Sequence, residues 1–189
     1  MSQQSEQSQR HWGRSSPPPP PARSTHILLI EDKPGAARLI HFMLWEAPGK
    51  LFSVDHADRL SAGLERITAG GIDLILLDLH LPDSKGLDTF LSVYEHAPDI
   101  PIVLLTGLND ESVAVEAMRH GAQDYLVKGQ IDGEMLARAI RYAIERKRVE
   151  KELYHYTERL KTLREIDQSI LTARSPEAIA MAALGRIRR

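Results

Sequence analysis

The chain has 189 residues, and its 24 basic and 26 acidic side chains give a formal net charge of −2. This near-neutral balance excludes a global field that would draw the chain onto nucleic acid or an anionic membrane. Cysteine is absent and no apolar run reaches the ~18 residues of a spanning helix, so we expect a cytoplasmic protein without disulfides, thiolate zinc sites or a membrane partner.

The N-terminal segment, residues 1–24, is rich in Gln, Ser, Arg and Pro and includes the run Pro17–Pro21. Such a composition cannot bury enough apolar surface to offset the entropy of ordering. We therefore predict that this segment is a disordered tail.

From Thr25 onward, short apolar runs alternate with segments of helical periodicity. The runs predict strands at 26–30, 51–56, 72–77, 102–105 and 125–127, and the periodic segments predict helices at 36–44, 58–69, 87–96 and 110–120. The second strand alternates polar and apolar residues, which is typical of an edge strand, whereas continuous apolar runs are typical of parallel strands covered on both faces. The pattern fits an α/β fold, a doubly wound, flavodoxin-like sheet of five parallel strands in the order 2-1-3-4-5.

Residues 134–172 have the periodicity of one long helix, whose first part completes the sheet domain. Beyond about Arg148 this helix carries apolar residues at coiled-coil-like spacing: Leu153, Tyr156, Leu160, Leu163, Ile166 and Ile170. We therefore divide the chain into the tail, a domain at 25–147 and a linker helix at 148–189. The linker is predicted to form a parallel homodimer, and a single solvated helix that awaits a partner domain is the alternative.

Polar residues end four of the five predicted strands, at Asp32, Asp78, Thr106 and Lys128. In a parallel sheet these ends share one edge, where doubly wound folds bind their ligands. Glu31 adds a third carboxylate, and crowded carboxylates raise one another's pKa unless a cation intervenes. Mg²⁺ suits such an oxygen cluster. A carboxylate beside it can attack phosphorus, with charge neutralised by Mg²⁺ and Lys128.

Four segments carry a family resemblance: Ile30-Glu31-Asp32, Leu77–Asp83, Leu105-Thr106-Gly107 and Asp124–Lys128. In order and spacing they resemble the motifs of the receiver domain of two-component response regulators, over about residues 25–140. The resemblance implies a module that takes a phosphoryl group from a histidine kinase or phosphotransfer protein with Mg²⁺ as cofactor. It implies no turnover enzyme and no nucleic-acid partner within these residues.

The resemblance assigns the acidic residues individually. Asp78 matches the phosphoacceptor, and Asp32 matches the direct Mg²⁺ ligand. Glu31 matches the second acidic member, which acts through water. The backbone carbonyl of His80 matches the third protein ligand of the metal, and we expect the His80 side chain itself to be a solvent-exposed bystander.

The resemblance also assigns a phosphoryl-binding pair and a switch. Thr106 and Lys128 match the hydroxyl and ammonium that bind the phosphoryl group. Thr106 and Tyr125 match the switch pair that would change the 110–140 face and so control an output domain beyond the fragment. Lys128 is followed by Gly129 where the family usually has a cis-proline, so we expect a trans peptide there.

Two other classes of function stay open. One is a receiver-like scaffold that only dimerises, against which the intact acidic set speaks. The other is a metal-dependent phosphatase of similar sheet type, which needs a second aspartate two residues after the nucleophile. Asp32 is instead followed by Lys33 and Pro34, which argues against a phosphatase.

The end of the chain carries a second resemblance. Residues 163–189 contain two short helical patterns with the capping sequence Ser175-Pro176-Glu177 between them. They are similar to the opening helices of a GAF sensor domain. This implies that the chain is a piece of a longer signalling protein, cut within a sensor domain.

Overall fold

The computed structural model describes residues 24–47, 52–107 and 110–172, with side chains as far as Gln168. The predicted tail, except its last residue Ser24, lies outside the described residues. So does most of the segment that resembles a GAF domain.

Strands and helices alternate along the described chain. The strands are β1 Thr25–Ile30, β2 Phe52–Ala57, β3 Leu74–Asp78, β4 His80–Leu81, β5 Ser84–Lys85, β6 Ile102–Thr106 and β7 Asp124–Val127. The helices are α1 Pro34–Glu46, α2 Leu60–Ala69, α3 Leu87–His96, α4 Glu111–Arg119 and α5 Gly133–Thr172. Each of the strands and helices predicted between residues 25 and 172 is present, although several bounds move by one or two residues.

The main sheet has five parallel strands in the order β2-β1-β3-β6-β7. The strands β4 and β5 form a separate two-stranded ribbon, so β6 and β7 are the fourth and fifth strands of the sheet. The order is therefore the predicted 2-1-3-4-5, which confirms the flavodoxin-like fold. The sequence predicts no strand over the residues of the ribbon. β2 lies at the edge of the sheet, as its alternating pattern predicted.

The central strands are buried on both faces because helices cover the sheet from both sides. Side chains alternate across the pleat, so Leu28 and Ile30 of β1 pack under α2, α3 and α4. Ile27 and Leu29 of the same strand pack under α1 and α5. Since β1, β3 and β6 pair side by side in parallel, the residues that follow them meet at one edge.

The helix α5 leaves the domain near Lys147. Lys147 is buried, and beyond it no side chain described in the structure is buried. Two polar contacts hold the helix where it leaves. Arg146 Nη1 donates to the carbonyl oxygen of Gln123 at 3.0 Å, and Lys151 Nζ lies 3.3 Å from Asp99 Oδ1. Within the described residues, neither this helix nor any other is long and apolar enough to span a membrane.

Candidate functional site

Three carboxylates meet at the C-terminal edge of the sheet. Glu31 and Asp32 directly follow β1, and Asp78 is the last residue of the neighbouring strand β3. One oxygen atom of each lies within 4.8 Å of the others. Glu31 and Asp78 are buried, and Asp32 is half-buried. The fold therefore brings together the three acidic side chains that the sequence singled out, and we call them the acidic cluster.

The Lys128 ammonium lies between two members of the acidic cluster. Its Nζ donates to Asp78 Oδ2 at 2.6 Å and also to Glu31 Oε2. The backbone N–H of Lys128 donates to the carbonyl oxygen of Thr106 at 2.8 Å, which holds the residue against β6. The sequence predicts that a divalent ion relieves the repulsion between these carboxylates. The structure adds a cation of the chain itself, since Lys128 bridges two of them.

Burial and charge set the protonation of this pair. Burial raises the pKa of Glu31, and the charge of Asp78 raises it further, while Lys128 offsets these effects only in part. Burial by itself would lower the pKa of Lys128, but its hydrogen bonds to Asp78 and Glu31 outweigh burial and raise it. The lysine is therefore held as an ammonium beside the carboxylate of Asp78.

Asp32 provides the test of whether the acidic cluster suits a metal ion. Its Oδ1 is buried and has no hydrogen-bond partner among the described residues. Buried polar atoms nearly always have a partner, and one without a protein partner calls for a water or an ion. The donor atoms of the cluster are all carboxylate oxygens, which are the ligands that Mg²⁺ prefers. The cluster therefore fits Mg²⁺.

Thr106 and Tyr125 form their hydrogen bonds away from the acidic cluster. The buried hydroxyl of Thr106, at the end of β6, donates to the carbonyl oxygen of Leu126 at 3.4 Å. The half-buried Tyr125 donates its phenolic O–H to Glu111 Oε1 on α4 at 3.5 Å. Thr106 lies at the predicted edge, but neither side chain bonds to Asp78 in this conformation.

The peptide that follows Lys128 has the expected geometry. Every peptide bond in the described part of the chain is trans, including that between Lys128 and Gly129. Gly129 has a φ of 87°, in the left-handed region that glycine adopts without strain. Glycine therefore lets the chain turn away from the site directly after the lysine.

Asp110 joins the site although the sequence analysis assigned it no role. Its Oδ2 accepts from the Gly107 N–H at 3.2 Å and lies 3.4 Å from His80 Nδ1. His80 is exposed, as expected, and its backbone N–H donates to Asp78 Oδ1 at 3.1 Å. These contacts connect the ribbon to the segment before α4. Only the position of Asp110 just before a helix marks it in the sequence.

Asp83 has a structural role that no sequence motif indicates. In the structure, Asp83 Oδ1 accepts from the Leu60 N–H at 2.8 Å and Oδ2 accepts from the Ser61 N–H at 2.9 Å. These are the first two amides of α2, which have no acceptor inside the helix. Asp83 thereby fastens the ribbon to α2.

Replacing Asp83 with Ala is expected to lower the free energy of unfolding by about 1 kcal/mol, because both amides lose their acceptor. Burial raises the pKa of Asp83, but the N–H donors of Ser61 and Leu60 outweigh it, so the pKa lies below its ordinary value. The stabilisation is therefore present above about pH 4 and is lost as the pH falls further. Urea unfolding of both proteins at about pH 7 and about pH 3 measures this, and an equal loss at both pH values would contradict the role.

Comparison with known proteins gives a family match. A family model described as the response regulator receiver domain matches residues 27–141. The chain is 31% identical over 134 residues to the C4-dicarboxylate transport transcriptional regulatory protein DctD of Pseudomonas aeruginosa, covering 71% of this chain and 28% of that protein. It is 59% identical over 56 residues to the regulatory protein LuxO of Vibrio cholerae, covering 30% of this chain and 12% of that protein. The matched part is thus less than a third of these relatives.

Solved structures share the fold. A response regulator receiver domain protein from Clostridium thermocellum superposes with a TM-score of 0.58 at 30% identity, covering 66% of this chain and 98% of that chain. A CheY-like receiver domain protein from Methanospirillum hungatei superposes with a TM-score of 0.59 at 22% identity, covering 68% of this chain and 99% of that chain. Both similarities apply to the sheet domain, since each leaves about a third of the chain unmatched.

Proposed function

Because this chain belongs to the response regulator receiver domain family, with the match over residues 27–141, we propose that it is the phosphoacceptor module of a two-component system. A histidine kinase or a phosphotransfer protein donates a phosphoryl group to Asp78. The observation that carries the proposal is the contact of 2.6 Å between Lys128 Nζ and Asp78 Oδ2 beside the acidic cluster. In this contact, Asp78 supplies the nucleophile and Lys128 supplies a fixed cation for the incoming phosphoryl group.

The transfer forms one bond and breaks another. A carboxylate oxygen of Asp78 attacks phosphorus while the bond between phosphorus and the donor imidazole breaks, so an aspartyl phosphate forms. The electron pair of the broken bond stays on the imidazole. Lys128 neutralises the oxygens of the phosphoryl group as it arrives. Later hydrolysis returns Asp78, so we propose no turnover of an external substrate.

The acidic cluster and the backbone carbonyl of His80 would hold Mg²⁺. Bound Mg²⁺ supplies further charge neutralisation on the phosphoryl oxygens. Asp32 is the best direct ligand, because its buried Oδ1 lacks a partner among the described residues. Glu31 Oε1 already accepts from the Lys33 N–H at 3.1 Å, which favours a contact through water.

Magnesium is expected to raise the melting temperature. An ion that binds only the folded state stabilises it by about 2.7 kcal/mol at a hundred times its Kd. Asp32→Asn should remove most of this gain. Asp83→Asn should keep it, because Asp83 is an aspartate outside the acidic cluster. Thermal melts in Mg²⁺ and in EDTA measure the gain, and a melting curve that Mg²⁺ leaves unchanged is the result that rejects the metal site.

Intact mass spectrometry tests the proposed function directly. Incubation with acetyl phosphate and Mg²⁺ should add one phosphoryl group, and EDTA should prevent the addition. Hydroxylamine should remove the group, since it cleaves acyl phosphates and leaves phosphate esters of Ser, Thr and Tyr intact. No addition under any of these conditions favours the scaffold. Turnover of p-nitrophenyl phosphate favours the phosphatase.

Phosphorylation is further proposed to act through Thr106 and Tyr125. Thr106 ends β6, whose preceding residue Leu105 pairs with Asp78. Its hydrogen bond to the Leu126 carbonyl is long, at 3.4 Å, so a phosphoryl oxygen is a competitive acceptor. Tyr125 then gives up its hydrogen bond to Glu111 on α4, which is also long at 3.5 Å, and moves nearer to Thr106. This movement changes the 110–140 face and controls an output domain.

The donor protein is proposed to dock on α1. Leu39, Phe42 and Trp45 lie at three-residue spacing on this helix and are 52%, 52% and 82% exposed. The rings of Phe42 and Trp45 lie 6.4 Å apart between centroids. Contiguous exposed apolar groups mark interaction surfaces. The helix begins at Pro34, two residues after Asp32, so a protein bound on this helix lies beside the acidic cluster.

Phe42→Ala is expected to slow transfer from a donor protein about tenfold, the effect of a modest interface hot spot. The donor used is a purified phosphotransfer domain that phosphorylates the wild-type chain. Uptake from acetyl phosphate should not change, because the small donor needs no docking surface. Tyr154→Ala, on the part of α5 beyond the sheet domain and 64% exposed, is the matched control. Equal slowing with both donors would rule out a docking role.

A further inference from the structure

The part of α5 beyond Lys147 carries an uncovered apolar stripe. Its members alternate at spacings of four and three residues, and we call them the α5 stripe: Val149, Leu153, Tyr156, Leu160 and Leu163. Their exposed fractions run from 48% at Leu160 to 64% at Leu153. This is the spacing of the a and d positions of a coiled coil, with the leucines at 153 and 160 at a.

We propose that the α5 stripe pairs with the same stripe of a second copy of this chain, and that the two helices run antiparallel. A stripe with heptad spacing is complementary to itself, so a two-fold axis buries both copies in one interface. The direction of the helices then depends on the charged residues that flank the seam, because these set the orientation of coiled coils.

A parallel pair in register is unfavourable for these flanks. Each g residue would face the next e residue of the second copy. Glu145 would face Glu150, and Arg159 would face Arg164. Two-fold symmetry doubles each of these contacts between like charges. These repulsions argue against the parallel arrangement that the sequence predicts.

An antiparallel pair separates these like charges and creates one attractive pair between the flanks. With Val149 opposite Leu160 and Leu153 opposite Tyr156, four members of the α5 stripe pair with one another in the seam, and Leu163 lies opposite Arg146 of the second copy. Glu152 then lies opposite Arg159 of the second copy, and the symmetry provides this pair twice. Among the described residues, the ion pair found for Glu152 is a long one, 4.0 Å from its Oε1 to Arg148 Nε, so Glu152 is available for the second copy.

The same alignment brings the helix of the second copy next to an exposed aromatic residue of the sheet domain. Tyr142 lies seven residues before Val149, on the same side of α5, and is 61% exposed. Beyond Leu163, the helix of the second copy continues along this side, and its Asp167 lies opposite Tyr142. The two sheet domains then sit at opposite ends of the helical pair.

Cysteine cross-linking tests the direction, because the chain contains no native cysteine. A mixture of full-length Val149→Cys and Leu160→Cys should form a disulfide between the two variants. Neither variant should link to itself, because its two copies of one position lie about 16 Å apart along the axis, beyond the reach of a disulfide. Self-linking of either variant alone means parallel helices and overturns the proposal.

Charge reversal tests the flanks independently. Arg159→Glu should raise the dimer dissociation constant about tenfold, since it turns both attractive pairs into repulsive ones. The double change Glu152→Arg with Arg159→Glu should restore it. In a parallel dimer, Arg159→Glu relieves its contact with Arg164 and tightens association instead. Sedimentation equilibrium distinguishes these results.

A charged substitution within the α5 stripe tests whether the chain self-associates through it. Leu153→Asp should raise the dissociation constant more than about a hundredfold, because each dimer then buries two carboxylates in its seam. Tyr154→Asp is the matched control, since both residues are 64% exposed but Tyr154 lies beside the seam. A wild-type chain that stays monomeric overturns the proposal. These measurements use no phosphodonor, so they fail or succeed independently of the proposed function.

Discussion

Asp78→Asn is expected to abolish uptake of a phosphoryl group from acetyl phosphate, a loss of about 10³-fold or more in rate. The amide lacks the charged oxygen that attacks phosphorus, while the rest of the site stays in place. Asp78 is buried and Lys128 Nζ donates to its Oδ2 at 2.6 Å, so the variant loses the carboxylate oxygen that lies beside the fixed cation. Intact mass in Mg²⁺ measures the effect.

The Asp78 experiment has a matched control and a clear contrary result. Asp83→Asn changes an aspartate five residues away that binds the α2 amides instead, and it should take up phosphoryl at the wild-type rate. Asp78→Asn should remain folded, because the charge of Asp78 raises the pKa of Glu31 and its removal lessens repulsion. A folded Asp78→Asn variant that still gains one phosphoryl group would show that the acceptor lies elsewhere.

Lys128→Met is expected to have the second largest effect, on stability as well as on transfer. It leaves carboxylate oxygens of Glu31 and Asp78 within 4.8 Å of one another without the lysine as counter-ion. Loss of one partner of a fully buried pair costs about 3–5 kcal/mol. Since the Lys128 side chain is 24% exposed, we expect a smaller loss of about 2 kcal/mol in EDTA. Phosphoryl uptake should also fall about 10²–10³-fold, because a fixed cation is missing.

Magnesium should stabilise Lys128→Met more than it stabilises the wild type. In the variant, a bound ion takes over part of the neutralisation that the lysine provided. Lys151→Met removes a lysine whose partner Asp99 is exposed, and it should change the free energy of unfolding by less than about 1 kcal/mol. Urea unfolding in EDTA and in Mg²⁺ measures these values. Wild-type stability of Lys128→Met in EDTA would show that the bridge does not stabilise the fold.

The sequence by itself determined the order of elements and the shape of the sheet. β1, β3 and β6 read as continuous apolar runs and are buried on both faces, while β2 alternates and lies at the edge. The helix Leu87–His96 has the bounds that its periodicity predicted. These features follow from local periodicity and from which faces must be buried. Both can be recognised within short stretches of consecutive residues. The common edge for the acidic cluster follows from the same pattern.

The tertiary structure alone decided which side chains bond at that edge. Lys128 bonds to Glu31, 97 positions away in the chain, and to Asp78, 50 positions away. Only folding therefore brings this lysine between the two carboxylates. Asp83 caps a helix 22 and 23 positions earlier, and Asp110 meets His80 from another loop. Such contacts depend on strand register and on the reach of single side chains. No local pattern encodes them, because each partner appears in its own segment as an ordinary polar residue after a strand or in a turn.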